Sequence, residues 1–157
     1  MCPLKSFSEK SIMELNVTSL EDYDLVTRLK RYVYDIVGCC QHVHAEMGPW
    51  LNEYIYQEAL QIAFDQANIP NEKEFYFSVC YQGMPLAKKH FVDFRCKGNV
   101  FVECKAIQAL GNEQRQQLWN YMRLTGTPFG VLYNFAPVKD QCEKYYYDPT
   151  TKTISAF

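Results

Sequence analysis

One stretch constrains this chain more than any other: Phe91-Val92-Asp93-Phe94-Arg95, a Cys96-Lys97-Gly98-Asn99 turn, then Val100-Phe101-Val102-Glu103-Cys104-Lys105. Aromatic and β-branched residues on either side of a short turn carrying Gly98-Asn99 predict two strands in a hairpin. Side chains alternate along a strand, so Glu103 and Lys105 share one face while Val102 and Cys104 take the other. Asp93 stands on the neighbouring strand, near enough to face them. Val100, Phe101 and Val102 are apolar on both faces, which predicts an interior strand. Two carboxylates and one ammonium on such a pair of strands are costly unless something compensates them. A divalent cation and its water would do so; the plain alternative is a solvated Glu-x-Lys pair on an exposed face.

Composition narrows the setting. The chain has 157 residues, 48% of them hydrophobic and 22% charged, which suits one globular domain with a substantial core. Residues 1–20 mix Ser, Lys and Glu without strong periodicity and read as a leader, leaving 21–157 as a single domain. A net charge of −2 gives no general pull towards nucleic acid, and no broad basic face is visible. Seven cysteines without a CxxC pair predict reduced thiols in a cytoplasmic protein rather than a disulfide framework. No signal-peptide pattern and no run of about 20 apolar residues is present, so no membrane association is expected.

The flanking segments predict helices and further strands. Thr18-Ser19 with Glu21-Asp22 reads as a helix start, and Leu25, Leu29, Tyr32, Ile36, Cys40, Val43 and Met47 form a buried stripe up to Gly48-Pro49. Cys39, Cys40, His42 and His44 on this helix do not predict a zinc site. The two histidines are about 200° apart around a helix of ~3.6 residues per turn. A second helix over 51–68 is expected to be largely buried through Ile55, Ala59, Leu60, Ile62, Ala63 and Phe64, with Glu53 in its first turn. Residues 74–81 predict a strand, and Lys88-Lys89-His90 a solvated basic connection. A helix follows over 112–124, then a central strand over 129–135 and a closing hairpin from Lys144 to Phe157.

This order, with Asp93 followed ten residues later by Glu103-Cys104-Lys105, resembles the core of the PD-(D/E)XK nuclease superfamily, and within it the small GxxExxY family. The matching text is Val43-His44-Ala45-Glu46-Met47-Gly48-Pro49, Glu53 with Tyr56, Glu58-Ala59-Leu60, Tyr81-Gln82-Gly83 and Val92-Asp93. Val102 to Ala106, Gln117 with Asn120-Tyr121, and Asn134-Phe135 continue it. One departure is plain: Trp50 stands where the namesake motif opens with glycine.

The resemblance implies an α/β, restriction-endonuclease-like core, a mixed central sheet of four to five strands flanked by helices. It implies a Mg²⁺- or Mn²⁺-dependent nuclease, a phosphodiester hydrolase whose partner is nucleic acid, DNA ahead of RNA. Asp93 and Glu103 would bind the metal with the backbone carbonyl of Cys104. Lys105 would sit beside the attacking water, Glu53 would hold a second metal or water shell, and Gln117 would support the site. The rival expectation is a catalytically silent protein of the same fold that binds nucleic acid or a protein partner, since fold does not fix function.

Overall fold

The computed structural model describes residues 20–157, in the order α1 (Leu20–Met47), α2 (Glu53–Gln66), β1 (Asn71–Tyr81), β2 (Met84–Cys96), β3 (Val100–Lys105), α3 (Asn112–Thr125), β4 (Phe129–Asn134), β5 (Gln141–Asp148) and β6 (Thr153–Ala156). The leader expected over residues 1–20 and the Thr18-Ser19 cap lie, but for Leu20, outside the described residues. The side chain of Leu25 lies outside them too.

The strands form one sheet in sequence order. β3 and β4 run parallel, and every other neighbouring pair is antiparallel. Parallel neighbours need a crossover, and α3 supplies it. The sheet has six strands where four to five were expected, because the C-terminal hairpin pairs onto β4, from Phe129↔Tyr146 to Asn134↔Gln141. That β3 and β4 are apolar on both faces follows from helices on both sides. Val102, Cys104, Val131 and Tyr133 face α1 and α2, whereas Phe101 and Leu132 face α3.

α1 buries Leu29, Val33, Ile36, Val37, Cys40 and Val43, a stripe at steps of three and four. Val33 and Val37, absent from the expected stripe, are buried, whereas Tyr32 is half-buried and Met47 is exposed at the helix end. α2 corrects the sequence reading further. Tyr56, Leu60 and Phe64 alone are buried, and Ile62 is 58% exposed, so this helix is amphipathic and lies against the sheet from outside. Phe64 meets Phe94 edge-on, with ring centroids 5.3 Å apart. Burying one such side chain contributes about 1.5–3 kcal/mol.

α3 approaches the sheet most closely at Gly130, where an added Cβ would lie 2.5 Å from Met122 Sδ and 3.1 Å from Leu118 Cδ2. Glycine is required there by space. Gly126, with φ 71, ends α3 in the left-handed cap expected of it.

The Lys88-Lys89-His90 run is not a connection: it lies inside β2. The true connection is Gln82-Gly83, with φ 49 and 79, and the β2–β3 turn repeats the pattern at Lys97-Gly98, with φ 50 and 73. Positive φ at both central residues matches the twist of an antiparallel pair. The two helical histidines diverge as predicted: His42 lies 3.3 Å from Glu46, and His44 Nε2 contacts the Pro137 carbonyl at 2.8 Å. Cys39, Cys40, Cys96, Cys104 and Cys142 carry free thiols. Cys80 is disulfide-bonded, so the expectation of thiols throughout fails at that position.

Candidate functional site

The antiparallel register Phe94↔Val102 places Asp93 opposite Glu103 one step further along. At that step the regular alternation breaks. Val92 belongs to the apolar cluster under α3, whereas Phe94, two residues on, belongs to the cluster under α1 and α2. Across the ladder, Lys73 pairs with Phe94 and Phe75 with Val92, but Glu74 and Asp93 between them do not pair. Glu74 adopts φ 52, a left-handed conformation inside a strand. A local break of this kind re-aims a side chain. Asp93 is turned inward, 7% exposed, and its Oδ2 accepts the Cys104 backbone N–H at 2.7 Å.

Glu103 and Lys105 share a face of β3 as predicted, with Glu103 Oε2 and Lys105 Nζ 3.6 Å apart. Glu103 is only 3% exposed. Its carboxyl is pushed well above the ordinary range, by burial first and by Asp93 second, against the opposing pull of Lys105. Asp93 is also raised by burial; the Cys104 N–H, Lys105 and hydrogen bonds from Glu103 and Gln57 restrain the shift. Burial thus works against both acids being ionised together when nothing else neutralises them. For Lys105, burial pulls downward, but Glu103, Glu53 and Asp93 together prevail and hold the amine charged.

Glu53 enters from the first turn of α2. Its carboxyl is raised by burial and by Asp93, with Lys105 and the Ala106 backbone opposing, so it belongs to the same electrostatic cluster. What sets α2 here is Tyr56, fully buried one turn on. Its hydroxyl donates to the Gly48 carbonyl at 2.6 Å and accepts the Leu51 N–H at 3.1 Å, and its ring stacks on Phe135 at 4.9 Å. Trp50, between these anchors, has φ 64, and its N–H donates to the Ala136 carbonyl at 3.0 Å. The backbone thus keeps a glycine-like conformation under an indole that is 60% exposed.

Gln117 of α3 accepts from Lys105 Nζ at 3.4 Å, and its amide donates to the Tyr121 hydroxyl at 3.3 Å. The five side chains singled out from the sequence, Glu53, Asp93, Glu103, Lys105 and Gln117, are thus brought to one place. Two contributors were not foreseen. Gln57 donates to Glu53 at 3.2 Å and also hydrogen-bonds Asp93; its position four residues after Glu53, on the same helical face, was the available signal. Buried Asn134, paired with Lys105 across β3–β4, accepts from Ile107 N–H at 3.0 Å and donates to Ile107 O at 2.8 Å and Gln141 at 3.0 Å. It pins the chain just beyond Lys105. Cys104 points into the core, where burial raises its thiol well above the ordinary range, so it is no nucleophile.

Among the described residues, no group of three or more His, Cys, Asp or Glu side chains is arranged to hold a metal ion. The donor set could nonetheless suit a hard divalent cation. Two buried carboxylates lie side by side with a third nearby, all raised by burial, against a single amine. Mg²⁺ takes one or two carboxylates and keeps several waters, so it does not need a cage of protein ligands.

Comparison with curated proteins and with solved structures gives no match. The profile of the PD-(D/E)XK nuclease superfamily matches residues 30–145, a span that runs from within α1 to β5 and contains every residue of the site just described. Its α/β, restriction-endonuclease-like core, a mixed sheet between helices, is the architecture seen here. The chain belongs to the PD-(D/E)XK nuclease superfamily.

Proposed function

We propose that this protein is a Mg²⁺- or Mn²⁺-dependent nuclease that hydrolyses phosphodiester bonds in nucleic acid, of the GxxExxY kind within its superfamily. The observation that carries the reading is the meeting of Asp93, Glu103 and Lys105 at the break in β2, two buried acids side by side with one charged amine against them. Asp93, Glu103 and the Cys104 carbonyl would hold the cation, with Glu53 on its outer shell. The bound ion supplies an acidified water and neutralises charge on the phosphoryl group.

The chain's own residues do the rest. Lys105, kept charged by three carboxylates and held by Gln117, donates hydrogen bonds towards the attacking water or the charge that develops at phosphorus. Gln57 and the Tyr56 anchor orient Glu53. The Cys104 N–H fixes the Asp93 carboxylate by a charge-assisted bond. The reading is tested by incubating the protein with labelled single- and double-stranded DNA and RNA in Mg²⁺, in Mn²⁺ and in EDTA. Cleavage that needs the metal and disappears in Asp93→Asn is expected. Absence of cleavage on all substrates in both metals overturns the reading and leaves a silent binder of the same fold.

A further inference from the structure

The β1–β2 ribbon is the part of the molecule that the site does not explain. β3 pairs with β2 only from Phe94 onward, so the ribbon before it runs on as two strands past the site. Residues 75–92 contain no Asp or Glu, yet carry Lys88, Lys89 and His90 in a chain whose net charge is −2. Both lysines are exposed. Large rings are exposed beside them: Tyr76 at 59%, Phe91 at 48% and Tyr81 at 67%. Soluble proteins do not usually leave a contiguous group of rings in water without a use.

The rings and the charge are in register. Tyr76 pairs with Phe91 and Ser78 with Lys89, so these four share one face of the ribbon. The Tyr76 and Phe91 rings lie 5.6 Å apart, and Lys89 follows roughly 6.6–7 Å along the strand. The other face is tied to the site. Phe77 meets Tyr121 edge-on at 5.0 Å and His90 meets it at 5.8 Å, and the Tyr121 hydroxyl accepts from Gln117, which holds Lys105. Phe91 itself lies two residues before Asp93.

We propose that this ribbon is the substrate arm of the protein and binds a single-stranded stretch of nucleic acid, with bases stacked on Tyr76 and Phe91 and the adjoining phosphate on Lys89. It rests on the nuclease reading above and adds the strandedness of the substrate. Single-strandedness follows from the chemistry. In a duplex the faces of the bases are already stacked on one another, so exposed rings have nothing to receive; in a single strand every base offers a π-face. The stretch 75–92, free of acids and carrying two lysines, complements the backbone charge. It also supplies, on one hairpin, the positive surface that the overall composition lacks.

The test measures binding of fluorescein-labelled single-stranded DNA, single-stranded RNA and duplex DNA by anisotropy in EDTA, where no cleavage occurs. Wild type is expected to bind single strands at least tenfold more tightly than duplex. Tyr76→Ala/Phe91→Ala is expected to weaken single-strand binding tenfold or more, and Tyr76→Phe, which keeps the ring, to restore it. Phe91→Leu separates stacking from apolar bulk and is expected to behave like the alanine variant. Lys89→Ala is expected to flatten the salt dependence of log K by ~0.7, the value for one phosphate contact on a single strand. Equal binding by wild type and the ring variants overturns the inference. So does equal affinity for duplex, or a concentration-dependent dimer in sedimentation that the ring substitutions abolish, which would make the ribbon a contact between copies. The two readings fail separately. Ribbon-dependent binding without metal-dependent cleavage removes the nuclease and keeps the arm; cleavage indifferent to the ribbon removes the arm and keeps the nuclease.

Discussion

Lys105→Met separates an enzyme from a charge-balanced fold. The Lys105 amine lies 3.6 Å from Glu103 and 3.4 Å from Gln117, and its side chain is 18% exposed. Methionine keeps most of the stem and its packing and removes the charge. A charge about 4 Å away, in surroundings of effective dielectric ~20, interacts by about 4 kcal/mol before desolvation is counted. Losing one preorganised donor at a reacting centre costs about 10²–10³ in rate. Single-turnover cleavage is therefore expected to fall by ~10²-fold or more. Metal binding is expected to persist or strengthen, because a cation has left the neighbourhood of three carboxylates. In metal-free buffer the variant should melt lower. The loss stays below the ~3–5 kcal/mol of a broken buried ion pair, because Glu103 takes up a proton instead of standing as a bare charge. Cleavage rates and the Mg²⁺-induced rise in melting temperature are measured on the same preparations. An unchanged rate at saturating metal would refute the catalytic role of the amine. A lost rate accompanied by a lost metal shift would show that the amine merely shapes the metal site.

Three further perturbations probe the arrangement. Asp93 and Glu103 are both raised in the folded protein, so it binds more protons than the unfolded chain once pH exceeds the ordinary carboxylate range. Metal-free stability is thus full below that range and falls as pH rises through the folded values; melting scans in EDTA should show the fall, Mg²⁺ should suppress it, and Glu103→Gln should remove most of it. Trp50→Gly relieves φ 64 under an exposed indole and should change stability by between zero and about +1 kcal/mol on denaturant titration. A loss above ~1 kcal/mol would mean that the indole packs. Gly130→Ala drives a methyl to within 2.5 Å of Met122 Sδ and should cost about 1–3 kcal/mol. Because α3 carries Gln117, the same substitution should lower cleavage, and full activity with full stability would show that the helix moves away at no cost.

The sequence by itself settled whatever depends on local periodicity. Val100 to Val102 and Phe129 to Leu132, apolar on both faces, could only be interior strands between layers, and they are. The parity of Glu103 and Lys105 put both on one face, and the short link to Asp93 brought the second acid opposite, since a hairpin leaves little freedom of register. Gly126 and Pro128 marked the end of α3 for the same local reason.

Only the tertiary structure decided what depends on contacts remote in sequence. Apolar residues all round α2 suggested burial, yet among the described residues no element covers one side, and Ile62 is exposed. No local pattern records whether a neighbour exists. Lys88-Lys89-His90 looked like a loop because charge correlates with exposure, but exposure here comes from β2 running past β3 as a ribbon. The break at Asp93 and Glu74 appears in no periodicity, since it arises from two strands switching faces together. Tyr56 and Asn134 act through partners that are brought near only by folding, as does Gln57 towards Asp93. Type and spacing could name the acids and the amine; the raised acids come from burial, and the charge held on Lys105 from three carboxylates that only folding gathers around it.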